Sequence, residues 1–233
     1  MSIFLNNNDK DRKRMSPMDD TRDNNRRNFL KLAGLLPVSG LLASCATLIP
    51  GQGPLPDLYR LSPKSTFDAT LPEVPWQLVL EQTSANASLN TTKIALQRKT
   101  NQMEYYANAG WVDKAPIMVQ TLLVESFENT GKIVAVGRET IGLRSDFILK
   151  TELREFQTLY FGSTPEVRVV LNAKIVQMPR RTIIGSQSFE ANIPAQSDQL
   201  NSIVAAFDDG LGKVTKKLVE WTLFTAHSHY RAR

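Results

Sequence analysis

The chain contains one cysteine, Cys45, and its position is the strongest chemical signal in the sequence. It directly follows Leu42-Ala43-Ser44, which closes an apolar stretch that begins at Phe29. Arg26 and Arg27 stand just ahead of that stretch. A thiol can be acylated, and a chain with no second cysteine cannot form an internal disulfide. This order of basic flank, apolar run, small residues and thiol is typical of a leader that is removed at a cysteine carrying lipid.

The order resembles a bacterial lipoprotein signal with its lipobox. On this interpretation residues 1–44 are a cleaved signal peptide, and Cys45 becomes the first mature residue and carries acyl chains such as palmitate. The apolar stretch is shorter than the roughly 20 apolar residues that a membrane-spanning helix needs. Residues 25–31 also resemble the twin-arginine export motif, although Asn25 stands where Ser or Thr is usual. Arg26 and Arg27 would be read by an export receptor; the alternative is an ordinary secretory signal.

Two features predict where the mature protein lies. Ala46 follows the cysteine at the position where lipoproteins retained in the inner membrane of enteric-type bacteria typically carry Asp, which favours the outer membrane, facing the periplasm. Two or more acyl chains anchor a protein stably, whereas one anchors it marginally. Residues 45–58 contain three prolines and two glycines. They are predicted to form a tether with a reach on the order of 40 Å.

The mature chain offers little catalytic or ligand chemistry. Its two histidines, His227 and His229, lie in the last seven residues, so the body of the domain lacks the base of a Ser-His or Cys-His pair. Two histidines without neighbouring carboxylates or thiols make an incomplete metal site, and no phosphate-binding loop motif occurs. Arg180-Arg181 is predicted to be a solvated turn, with contact to lipid phosphates or a partner as the alternative. We therefore predict no enzyme activity, no cofactor and no metal.

The charge of the mature protein gives no argument for nucleic acid binding. The whole chain carries 28 Lys and Arg against 23 Asp and Glu, a formal charge of +5. The leader to Ser44 holds 8 of the basic and 5 of the acidic residues, which leaves 20 and 18, or +2. A nearly balanced protein does not attract a polyanion through its net charge.

Hydrophobic periodicity predicts a single domain over residues 59–224. Alternating apolar and polar residues indicate strands, and the long ones joined by short turns indicate an antiparallel meander with one buried face. Two of the earlier strands, joined by three residues, are predicted to form a hairpin. The predicted strands are residues 59–63, 76–81, 93–99, 103–109, 132–139, 146–160, 166–178 and 182–191.

Two amphipathic helices complete the predicted domain. Apolar residues at spacings of three and four predict the first over residues 113–129, with Asp113 as the N-cap and Gly131 as the stop. We expect both helices to cover one face of a mostly antiparallel sheet, which makes an α+β two-layer sandwich.

The second helix is longer. It is predicted to begin at an N-cap on Ser197 and to continue for about six turns to Trp221. Gly210 and Gly212 interrupt its pattern and indicate a kink or a close contact with the sheet. Residues 225–233 are predicted to form a solvated C-terminal tail.

Five segments stand in a distinctive order and spacing: Tyr59-Arg60-Leu61, Tyr105-Tyr106-Ala107-Asn108-Ala109-Gly110-Trp111, residues 115–127, residues 149–156 and Ala205-Ala206-Phe207-Asp208. Together they resemble the ABC-type transport auxiliary lipoproteins over residues 59–221, most specifically over residues 105–127. The resemblance implies a non-catalytic component of an ABC transporter with MCE-type (mammalian cell entry) subunits, whose permease and ATPase are other polypeptides. It also implies traffic of phospholipids or other hydrophobic molecules across the envelope, and assembly of several copies into a ring.

Two other functions stay open from the sequence. A lipid-binding shuttle or acceptor needs an apolar cavity large enough for its ligand. An envelope hydrolase is disfavoured because the body of the domain lacks histidine and the Gly-x-Ser-x-Gly motif. Tyr105, Tyr106 and Trp111 could line a lipid groove or an interface. The expected arrangement instead packs Trp111 under the first helix and leaves one tyrosine facing solvent.

Overall fold

The computed structural model describes residues 55–139 and 144–232. The signal peptide, Arg26, Arg27, Cys45 and the tether as far as residue 54 lie outside the described residues, so their roles stay predictions. Within the described ranges the helices are α1 (Ala115–Asn129) and α2 (Leu200–Arg231). The strands are β1 (Asp57–Tyr59), β2 (Val74–Leu80), β3 (Ser84–Ala85), β4 (Lys93–Lys99), β5 (Gln102–Trp111), β6 (Ile133–Arg138), β7 (Phe147–Leu159), β8 (Glu166–Gln177) and β9 (Thr182–Pro194).

The longest strands form the predicted antiparallel meander. β7 pairs with β8 and β8 with β9, each along almost its whole length. Leu149, Leu153 and Leu171 on these strands are fully buried in the core. Lys150 and Lys174 alternate with them and point to the opposite face, because successive side chains of a strand alternate. The predicted hairpin of β4 and β5 is also confirmed, and so is the α+β class.

The other edge of β7 carries three strands in succession, and this fork was not predicted. β2 pairs with the start of β7, β3 with its middle and β4 with its end, all in parallel. β6 then extends the sheet from β2, and β5 and β1 extend it from β4. The sheet is therefore mixed, with the longest pairings antiparallel. Alternation shows which face of a strand is buried but not the direction of its neighbour, so periodicity could not reveal the parallel pairings.

The first predicted strand, residues 59–63, is displaced in the structure. β1 is Asp57–Tyr59 and pairs with the end of β5. The chain leaves the sheet after Tyr59 because Leu61 turns into the core, where it is 2% exposed. Residues 60–71, which we call the strap, then run along both helices.

The predicted first helix is confirmed, with a different start. α1 begins at Ala115 and Lys114 takes the N-cap position, which has no side-chain cap. Asp113 instead accepts a hydrogen bond of 2.7 Å from the Lys114 backbone N–H. The helix ends at Asn129, and Gly131 follows with φ of 61°. Glycine adopts this left-handed conformation at little cost, which explains why the helix stops there.

The second helix is longer than predicted at its C-terminal end. Its N-cap is Gln199, not Ser197; the Ser197 hydroxyl donates to the Ser202 hydroxyl at 2.9 Å. α2 continues to Arg231, so residues 225–231 belong to the helix and do not form a separate tail, although Ser228, His229 and Arg231 are exposed. Leu223 and Ala226 are fully buried beyond Trp221. These apolar contacts extend the buried stripe and hold the last turns helical despite the polar residues between them.

α2 runs through Gly210 and Gly212 as one helix. Of the two predicted alternatives, a kink or a close contact with the sheet, Gly210 marks the close contact. A Cβ atom on Gly210 would lie 3.2 Å from side-chain atoms of both Ile193 and Val169. A Cβ on Gly212 would meet only the end of the Lys64 side chain at 3.9 Å.

Candidate functional site

Large aromatic side chains fill the space between the sheet and the helices. Trp111 at the end of β5 packs edge-on against Phe207 of α2, with ring centroids 5.2 Å apart, and lies 5.5 Å from Phe156 of β7. Trp76 and Phe147 make a second edge-on pair at 5.1 Å. All five rings are buried within one continuous hydrophobic cluster. Interiors packed in this way leave little room for a ligand.

The strap closes the helix side of the domain. Its Leu61 and Leu71 side chains are buried in the core. The Ser62 N–H donates to Asp208 of α2 at 2.6 Å, and the Asp68 N–H donates to Glu220 of α2 at 3.0 Å. Carboxylates of α2 therefore accept hydrogen bonds from backbone groups that an irregular segment would otherwise leave without a protein partner.

The strap is also bound to α1. The Lys64 N–H donates to the Ser126 hydroxyl at 2.9 Å, and the Asn129 side-chain amide donates to the Lys64 carbonyl at 3.0 Å. Arg60 lies 3.5 Å from Glu125. Because the same segment is bound to both helices, it holds them together and covers the line where they meet.

Two surface clefts lie on the β6 and α1 side of the domain. One of about 490 Å³ has Glu73 and Lys132 in its wall, and these two residues form an ion pair of 2.9 Å. The other, about 350 Å³, has Arg60 and Asp113 beside Met118. Apolar residues such as Val134 and Val112 line these clefts beside the charged ones. Both clefts are open to solvent, so neither encloses an acyl chain as an apolar cavity would.

A cluster of aromatic and charged residues lies where the β4–β5 hairpin meets the end of β7. We call Arg98, Glu104, Tyr106, Tyr160 and Phe161 the aromatic surface. The hydroxyl groups of Tyr106 and Tyr160 share a hydrogen bond of 2.9 Å. Arg98 forms an ion pair of 2.7 Å with Glu104, and its guanidinium lies 5.3 Å from the centre of the Tyr160 ring. Phe161 follows with 56% of its surface exposed.

The chemistry of the aromatic surface suits protein recognition. Burial raises the pKa of the Tyr106 phenol far above its ordinary value, and the hydrogen bond with Tyr160 raises it further. The Tyr106 hydroxyl is therefore neutral at physiological pH and can donate or accept. Tyrosine and arginine are enriched where interfaces gain most of their binding energy, and an exposed phenylalanine beside them supplies apolar area.

The structure separates the three aromatic residues that the sequence singled out. Trp111 is buried as expected, and its ring packs against Phe207 of α2. Tyr105 is half-buried and donates to the Ser88 carbonyl at 3.1 Å. Tyr106 joins the aromatic surface. Arg98 and Phe161 were missed because they come from distant segments, and no sequence pattern connects them.

Other candidate residues lie at the opposite end of the domain. His229 Nδ1 lies 2.9 Å from the Thr225 carbonyl oxygen, to which only a protonated nitrogen can donate. Within the described ranges, no group of three or more His, Cys, Asp and Glu residues is arranged to hold a metal. Arg180 and Arg181 lie in the β8–β9 turn, near the last turns of α2.

Comparison with known proteins identifies the family to which this chain belongs. Residues 59–219 match the family described as the ABC-type transport auxiliary lipoprotein component, and the chain belongs to that family. The protein is thus similar to lipoproteins of the cell envelope that are associated with ABC transporters. No helix among the residues that the structure describes is long and apolar enough to span a membrane.

Three individual proteins are similar to this chain over most of its length. A Xanthomonas campestris protein of known crystal structure is 31% identical in sequence to this chain. The match covers 75% of this chain and 98% of that protein, and the two structures superimpose with a TM-score of 0.72. A second crystal structure, of an uncharacterized protein, has a TM-score of 0.57 at 16% identity, covers 71% of this chain and 97% of its own, and shows the fold alone. An uncharacterized protein of Bradyrhizobium diazoefficiens is 26% identical over 187 residues, or 80% of this chain. This chain spans 50% of that relative's length.

Proposed function

We propose that this protein is a lipid-anchored, periplasm-facing auxiliary subunit of an MCE-type ABC transporter. It docks the transport assembly for traffic of phospholipid or other hydrophobic molecules across the envelope, while the MCE subunit, the permease and the ATPase are other polypeptides. The family match over residues 59–219 carries this proposal, since it spans almost all of the folded domain. The family match specifies neither the transported substrate nor the MCE partner, so both are part of this proposal.

The packed interior favours docking over a lipid shuttle. A shuttle must enclose the acyl chains of its ligand in an apolar cavity. Here the aromatic rings of Trp76, Trp111 and Phe207 occupy the layer between sheet and helices, and the strap covers the helices from outside. The aromatic surface is our proposed docking contact, because it combines an exposed phenylalanine with tyrosine and arginine.

The anchor is proposed to be the acylated Cys45, in the outer membrane, after export directed by Arg26 and Arg27. The tether would let the domain stand away from the membrane surface. Several copies would form a ring around an oligomeric MCE assembly. Under this proposal Cys45→Ala leaves partner binding intact in solution but abolishes function in the cell.

The test is cross-linking of the tagged, lipidated protein in membranes, followed by mass spectrometry. Recovery of an MCE subunit with a permease and an ATPase is expected. Phe161→Ala should reduce that recovery, whereas Phe224→Ala should not, although Phe224 is similarly exposed at 48%. Recovery of stoichiometric phospholipid without transporter proteins would contradict the docking role and support the shuttle.

A further inference from the structure

The end of the domain away from β1 contains a cleft of about 640 Å³. The β8–β9 turn forms one wall and the last turns of α2 form the other, so segments about 50 residues apart in sequence meet here. Its lining residues are Gln177, Met178, Pro179, Arg180, His229 and Ala232. The Tyr59 hydroxyl donates to Asn201 in the first turn of α2. Because α2 has 32 residues, its length of about 48 Å separates the cleft from the point where the predicted tether joins the domain.

The charges around this cleft are positive. Arg180, Arg181 and Arg231 are exposed. Within residues 55–139 and 144–232, none of the three forms an ion pair with an acidic side chain. The acidic residue Asp146 lies near the cleft, because its backbone carbonyl accepts a hydrogen bond from the Met178 N–H at 2.8 Å. Its carboxylate is directed to the Gln77 N–H, 3.0 Å away, and accepts a hydrogen bond there.

A purely structural role accounts for only part of this charge. Basic residues in the last turn of a helix are stabilised by the helix dipole, which suffices for His229 and Arg231. Arg180 and Arg181 belong to the turn, where a short polar residue would serve as well. The His229 ring donates through Nδ1 to the Thr225 carbonyl, which leaves Nε2 as its second polar atom. Arginine is the side chain best matched to phosphate oxygens, because its planar fork offers several N–H donors.

Apolar groups flank the charged ones. Pro179 is exposed and Met178 half-buried in the turn, and Ile183 follows at the start of β9 with 56% of its surface exposed. A free phosphate ion would gain nothing from such neighbours, whereas a lipid places its glycerol and acyl groups beside its phosphate. We propose that this cleft binds the phosphate of an anionic lipid headgroup, with Arg180, which lines the cleft, and the adjacent exposed Arg181 as the main contacts. This site does not depend on which transporter the protein serves.

Vesicle binding tests the site directly. The mature chain with Cys45→Ala, residues 45–233, lacks both the acyl chains and the basic, apolar leader, so its binding to vesicles reports only contacts of the mature protein with lipid. It should co-sediment with vesicles of phosphatidylglycerol in phosphatidylcholine, more weakly as salt is raised. Arg180→Gln with Arg181→Gln should weaken that binding about thirty-fold, since each basic residue near an anionic surface contributes about a factor of five. Lys99→Gln with Lys217→Gln is the matched control, because it removes the same charge from two exposed positions elsewhere.

The control pair should bind as the parent does, and all variants should show the same circular dichroism and melting temperature. If the arginine and the lysine double variants lose vesicle binding equally, the proposed site is overturned, because the loss is then a general effect of charge. Equal binding to pure phosphatidylcholine vesicles would also overturn it. If inorganic phosphate binds as tightly as the lipid does, the assignment to a lipid headgroup is wrong and the cleft is a general anion site. Loss of cross-linked transporter proteins in the arginine variant, with vesicle binding unchanged, would assign the cleft to a protein partner instead.

Discussion

Substitution of Gly210 by valine tests how closely α2 approaches the sheet. The Cβ atom alone would lie 3.2 Å from Ile193 and from Val169, whereas carbon atoms in contact normally lie about 3.5–4.0 Å apart. Valine adds two further methyl groups in the same space. Both neighbours lie on strands of the meander, so relief requires the helix to move outward.

The expected cost follows from this geometry. Overpacking a well-packed core costs about 1–3 kcal/mol, against a gain of a few tenths of a kcal/mol from replacing glycine in a helix. Gly210→Val should therefore lower the free energy of unfolding by about 2 kcal/mol. With a urea dependence of about 2 kcal/mol per molar, the midpoint of unfolding should fall by about 1 M.

Gly212→Val is the matched control two residues further along α2. Its Cβ meets only the flexible end of Lys64 at 3.9 Å, so its stability should stay within about 0.5 kcal/mol of the parent. Both variants are compared in urea by circular dichroism, in the Cys45→Ala background. If the two variants unfold at the same urea concentration, the close approach at Gly210 is not real and the argument fails.

Three further predictions concern the core, the aromatic surface and the strap. Trp111→Ala should lower the free energy of unfolding by about 3–5 kcal/mol, measured by thermal melting, because the ring is fully buried; a loss below 1 kcal/mol would contradict its packing. Burial raises the pKa of Tyr106 in the folded state, so the unfolded chain loses its phenolic proton first and stability falls as pH rises above about 10. Tyr106→Phe should make that fall shallower in unfolding measured from pH 9 to 11, and an unchanged slope would refute it. Asp208→Ala removes the acceptor of the Ser62 N–H and should speed tryptic cleavage at Lys64, whereas Asp209→Ala should not.

The sequence predicted the parts of the candidate site that lie within one element, but not their assembly. Tyr106 and the Arg180-Arg181 turn were singled out from local pattern and residue type, with a binding role only as the alternative to a solvated tyrosine and a solvated turn. Arg98 comes from β4 and Phe161 from the loop after β7, so only the strand pairing brings them to Tyr106. His229 was assigned to a solvated tail, because its own segment is polar.

The sequence by itself determined the element types, and it predicts the signal that precedes them. Period-two and period-3.6 patterns are local consequences of having one buried face, so they predict β7, β8 and α1 without knowledge of their neighbours. The Cys45 signal is likewise a linear pattern. The tertiary structure decided the fork in the sheet, the route of the strap over both helices and the length of α2. Each of these depends on contacts between distant segments, such as the backbone of Ser62 with Asp208, and no periodicity encodes such contacts.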